Sequence, residues 1–70
     1  MEDLISVQFN GKKLDVPKGA SIADLLVKAE MRNQLVAVEV NLEIVPLEQH
    51  DSHIVSDGDS IEAVTLVGGG

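Results

Sequence analysis

The chain has 70 residues, 44% of them hydrophobic, no cysteine, and a formal net charge of −7 from 12 acidic side chains against 5 Lys and Arg. A domain this short buries only ~60% of the surface its unfolded chain exposes, which leaves little room for a deep active site. Without cysteine there is no disulfide, zinc–thiolate site or cysteine nucleophile, and an acidic surface of this size repels the phosphates of a nucleic acid.

Along the chain, Ile5, Val7 and Phe9 alternate with Ser6 and Gln8, the pattern of a half-buried strand. Asn10-Gly11 follows at once, a strong hairpin signal, and Leu14 and Val16 then mark a second, antiparallel strand closed by Pro17. A helix is predicted next. Ser21 is its N-cap, Asp24 stands near the positive end of its dipole, and Ile22, Leu25, Leu26 and Ala29 form one apolar stripe. Arg32-Asn33 is the expected stop. Val36, Val38 and Val40 alternate with Ala37 and Glu39 in a third strand, and a short apolar piece at Ile44 and Val45 ends at Pro46. The polar run from Leu47 to Ser52 reads as a loop or one short helical turn. Asp57-Gly58-Asp59 is a tight turn, and Ile61 and Ala63 share one face of a last strand. Hairpin, helix, strand, short strand and strand predict an α+β roll, with one main helix packed on a mixed sheet of four to five strands.

No apolar run approaches the ~20 residues of a membrane span. Acids stand in the N-terminal stretch where a signal peptide carries basic residues, so a soluble, cytoplasmic protein is expected.

Few residue clusters suggest chemistry. His50 and His53, with Glu48 and Asp51 nearby, fall short of a structural zinc site, which takes four ligands and favours thiolates; two loop histidines are expected instead. The acids around Gly58 lack the longer alternating set and distal Glu of a calcium loop. Gly68, Gly69 and Gly70 precede no helix, so they form no phosphate cradle.

The last strand and its tail carry more. With Ile61 and Ala63 in the core, Val64 and Leu66 face the other way, and with Val67 they form an apolar group suited to docking a protein partner. Residues 67–70 read as a flexible tail on a domain spanning residues 1–66. Cloning scars and linkers usually mix Ser with Gly, and no Ser lies near this end. Glycines lack a Cβ and can thread a narrow channel, so Gly68 and Gly69 would give slimness and reach, and the Gly70 carboxylate would be the working group.

The stretch from Val36 to Pro46, followed by Ser56 to Gly70, resembles the ThiS family of sulfur carriers in thiamine biosynthesis. Asn41, Ile44, Val45 and Pro46, then Gly58, Asp59, Ile61 and Glu62, then Gly69 and Gly70 fall on that family's motif positions. Leu47 and His50 depart from it, standing where the family usually has an Arg and an aromatic residue, and are expected to shape the surface. The related small subunit of molybdopterin synthase tends to be longer, with prolines before its tail.

The resemblance implies a β-grasp, or ubiquitin-like, fold in which the first and last strands lie side by side in mid-sheet and the C-terminus leaves from its centre. It also implies a carrier, not an enzyme, with no bound cofactor. A ThiF-like partner, resembling the ubiquitin-activating enzymes, would use ATP to adenylate Gly70. A cysteine desulfurase or related donor would supply sulfur for a thiocarboxylate. A ThiG-like thiazole synthase would accept it. The carrier is expected to be a monomer that binds these partners transiently. Two other readings stay open on the tail alone: a ubiquitin-like protein modifier, and a plain interaction domain. Within the carrier reading, molybdopterin, tRNA thiolation and amino-acid sulfur routes are alternatives to thiamine.

Overall fold

The structure, a computed structural model, describes residues 3–31 and 35–66. Two tight turns organise it. Asn10 and Gly11 both take positive φ (51° and 84°), the mirror-image turn whose twist matches that of the flanking strands. It joins β1 (Leu4–Phe9) to β2 (Lys12–Pro17) in register from Leu4↔Pro17 to Phe9↔Lys12. Asn41 and Leu42 repeat the geometry (52° and 73°) between β3 (Val36–Val40) and β4 (Glu43–Val45). Pro17 closes β2, as its missing N–H requires.

The helix α1 spans Ile22–Lys28. Its N-cap forms a reciprocal capping box: Asp24 N–H donates to Ser21 Oγ (3.1 Å), and Ser21 N–H donates to Asp24 Oδ2 (2.9 Å). The two amides before Asp24 are satisfied across the chain, Ile22 N–H by His53 O (2.9 Å) and Ala23 N–H by His50 O (2.8 Å). No orphan donor of the first turn is left for a ligand. The helix ends with its apolar stripe at the Ala29 cap, ahead of the expected stop. Glu30 takes φ 62° in the left-handed region, Glu30 N–H bonds Val27 O (3.0 Å), and Met31 N–H bonds Leu26 O (2.7 Å). That paired closure is the usual left-handed helix end, here with Glu in the place glycine normally takes. Arg32 and Asn33, the expected stop, lie outside the described residues.

A 3₁₀ turn at Leu47–Gln49 leads into a segment that crosses the open end of the fold, where Val55 N–H bonds Ala20 O (2.9 Å). β5 (Ser60–Thr65) then enters the middle of the sheet, whose order is β2-β1-β5-β3-β4. It runs parallel to β1 and antiparallel to β3. This is the β-grasp arrangement, with five strands and first and last strands adjacent. The core lies between α1 and one face of the sheet. Ile22 and Leu25 of the helix meet Val7, Val16, Val38 and Ile61 of four different strands, all essentially solvent-free. β-branched residues dominate the strand side because they pack well on a pleated surface.

Leu42 is 88% exposed yet holds a positive φ that disfavours any residue with a Cβ. Leu42→Gly is expected to raise stability by about 0.5–1 kcal/mol, read as a higher urea midpoint at unchanged slope.

Candidate functional site

β5 delivers the chain toward its glycine end, so what surrounds it defines the candidate site. Its inward residues, Ile61 and Ala63, are buried against the helix side. Its outward residues face an open sheet surface. Val64 is 60% exposed and Leu66 58% exposed. Val64 stands opposite Ala37 on β3, and Leu66 N–H continues that pairing by bonding Leu35 O (2.8 Å). Thus Val64 near the end of β5 and Leu66 just beyond it are both exposed. Val67, Gly68, Gly69 and Gly70 lie outside the described residues.

The next row of the same face is acidic. Glu39 on β3 is directly opposite Glu62 on β5, and Ile44 on β4, 75% exposed, is opposite Glu39. Like charges facing each other across strands cost stability, of the order of a few tenths of a kcal/mol. The open face therefore offers an apolar strip beside two close carboxylates.

The start of β5 is tied down by side chains. Asn41 Nδ2 donates to Asp59 Oδ1 (3.0 Å), and Ser60 N–H donates to Asn41 Oδ1 (3.0 Å). Ser56 N–H donates to Asp59 Oδ2 (2.8 Å), and Ser6 N–H donates to Asp57 Oδ1 (2.8 Å). Gly58, at φ 89°, permits the turn. The acids of this segment thus serve the turn and its anchoring to β1 and β3, as expected for a structural turn.

His50 corrects the sequence reading. It was expected on the surface as one of two loop histidines, but it is only 5% exposed, and its Nε2 lies 3.1 Å from the carbonyl of Val45. A carbonyl only accepts, so Nε2 carries the proton. The sequence signal was weak because nothing in the polar run Leu47–Ser52 shows which residue turns inward. Leu47 is exposed, in line with a surface role. Among the described residues, no group of three His, Asp or Glu side chains is placed to hold a metal ion. None of the described helices is long and apolar enough to cross a membrane.

An α+β roll whose last strand lies between the first and third defines the class: a β-grasp domain. The family model of the ThiS family matches residues 6–70. The chain is 40% identical over 65 residues to the sulfur carrier protein ThiS of Bacillus subtilis, covering 91% of this chain and 98% of that one. It is 38% identical over 62 residues to a thiazole synthase of Paramagnetospirillum magneticum, covering 89% of this chain but 19% of that larger protein. The crystal structure of the thiamine biosynthesis protein ThiS from Geobacter metallireducens superimposes with a TM-score of 0.78 at 30% identity, covering 94% of this chain and 100% of that one. The chain belongs to the ThiS family.

His50→Ala would remove a buried ring and leave the Val45 carbonyl without its donor. A loss of about 2–4 kcal/mol in unfolding free energy is expected, measurable by urea titration.

Proposed function

We propose that this protein is the sulfur carrier for thiazole formation in thiamine biosynthesis, and that the carboxylate of Gly70 carries the sulfur. The observation that carries this reading is the near full-length likeness to ThiS carriers, together with a last strand that runs through mid-sheet toward the glycine end. The chemistry is assigned to partners. The Gly70 carboxylate attacks the α-phosphorus of ATP and pyrophosphate leaves, giving an acyl-adenylate on a ThiF-like enzyme. A sulfur nucleophile from a cysteine desulfurase or related donor then attacks the acyl carbon. With hydrosulfide as the nucleophile, AMP leaves and a thiocarboxylate remains. No side chain of the carrier takes part in either bond change. Its own contribution is presentation: Gly68 and Gly69 are slim enough to thread a channel, while Val64, Leu66 and Val67 dock the partner.

A thiazole synthase that contains a stretch like this chain supports thiazole formation as the destination, because carrier-like and acceptor sequences occur there in one polypeptide. The acidic pair Glu39–Glu62 beside the apolar strip favours partners that present a basic residue there. ATP is a co-substrate of the activating partner and is not held by the carrier.

Intact mass after incubation with the activating enzyme, ATP and sulfide tests the reading. A gain equal to one oxygen replaced by sulfur is expected, and deletion of Gly70 is expected to abolish it. An unchanged mass with an active partner enzyme would count against the carrier role. Val64→Asp is expected to lower the unfolding midpoint modestly without unfolding the domain, because the side chain is 60% exposed but stands in a central strand that disfavours Asp. It is expected to slow sulfur loading roughly tenfold at subsaturating carrier, as loss of a docking anchor does.

A further inference from the structure

We infer that Asn10 is a positioning residue for the reaction at Gly70: its side-chain amide holds the exit strand β5 in line where the backbone of β1 can no longer do so. The inference rests on the carrier reading above.

β5 is supported unequally on its two sides. Along β3 the pairing runs from Val40↔Ile61 to Val36↔Thr65. Along β1 it covers only Gln8↔Ser60 and Phe9↔Ile61, because the chain turns away at Asn10-Gly11 into β2. The backbone of Asn10 makes the last main-chain bond on that side, N–H to Ile61 O (2.9 Å). Ala63, two residues further along, has no β1 residue beside it.

The Asn10 side chain takes that place. Ala63 N–H donates to Asn10 Oδ1 (2.8 Å), and Asn10 Nδ2 donates to Ala63 O (3.1 Å). A primary amide has the same donor and acceptor groups as a peptide unit, so one side chain supplies both bonds of a missing strand residue. The sequence separation is 53 residues, so this tie links the first turn directly to the end of the chain. Nothing about the turn demands that reach. A glycine at φ 51° would serve the hairpin as well or better.

The position of the tie gives it a use beyond stability. Val64 and Leu66, the docking residues, follow Ala63 directly. An end of β5 that is held on one side only can splay from the sheet, and each splayed arrangement points the glycine tail elsewhere. The rate of a reaction that needs the tail in one channel falls with the fraction of carriers correctly aligned.

The experiment compares the full chain with its Asn10→Gly variant, which keeps the turn but lacks the amide. Two quantities are read. The first is hydrogen exchange at the Leu66 amide in the free protein; Leu66 N–H bonds Leu35 O (2.8 Å) on the β3 side, and its peptide group carries neither of the Asn10 bonds, so it reports on the strand end and not on the lost bond itself. The second is kcat and KM for sulfur loading by the cognate adenylating enzyme with ATP and sulfide, at a temperature where both proteins are folded. The inference expects roughly tenfold faster exchange, the factor that about 1.4 kcal/mol represents and the scale of one net hydrogen bond. It expects kcat at saturating carrier to fall at least twofold, the loss reached once splayed carriers equal aligned ones on the enzyme. Faster exchange with unchanged kcat would make Asn10 a stabilising residue only and overturn the positioning role. Unchanged exchange would overturn the tie itself. Wild-type protein that gains no sulfur would overturn the carrier reading and with it the role at Gly70, while the exchange data would still decide whether Asn10 holds the strand.

Discussion

The structure depends on the insertion of β5 between β1 and β3. Parallel pairing with β1 joins the two ends of the sequence, and antiparallel pairing with β3 closes the sheet on the other side. The central place lets Ile61 reach the middle of the core, alongside Val7 and Val38 of the neighbouring strands. It also determines where the chain emerges. A C-terminal strand at a sheet edge would expose unpaired amides and carbonyls along its length; a central one brings its end out between two supports. Loop-closure entropy makes such non-local pairing costly to form, and the fold offsets that cost with ties at the start and the middle of β5.

Those ties share a pattern. Both hairpin turns begin with an asparagine in left-handed conformation, and both asparagine amides reach out to β5. Asn41 holds Asp59 and Ser60 at the start of the strand, and Asn10 holds Ala63 further along. Asparagine suits both duties because its short polar side chain tolerates positive φ and carries a donor and an acceptor. The turns therefore do more than reverse the chain; they brace the central strand.

The two faces of the sheet divide the work. One is covered by α1 and supplies stability. The other is left open, with Val64 and Ile44 exposed and Glu39 facing Glu62. Apolar side chains in water and like charges in register are both unfavourable to the isolated protein. A partner with an apolar patch and a basic residue would relieve both. The helix end of the fold has the contrasting character. There, backbone carbonyls of His50 and His53 satisfy the first amides of α1, and the His50 ring satisfies Val45, so these polar groups are already paired within the fold.

Much of this was legible in the residues. Alternation at Ile5, Val7 and Phe9 and at Val36, Val38 and Val40, the Asn10-Gly11 turn, and the Ser21 cap are local signals, because the period of side chains along a strand and the capping of a helix depend only on neighbours in sequence. The outward set of Val64 and Leu66 followed from the same alternation. Only the tertiary structure decided the rest. Register placed Glu39 against Glu62, packing turned His50 inward, and Glu30 in the left-handed region closed the helix ahead of Arg32-Asn33. The two bonds from Asn10 to Ala63 span nearly the whole chain, and no local pattern encodes a partner so distant. By itself the sequence determined which side chains each element turns inward or outward; which of those side chains meet was decided by the closing of β5 into the sheet, since contacts between remote residues exist only once the chain has folded.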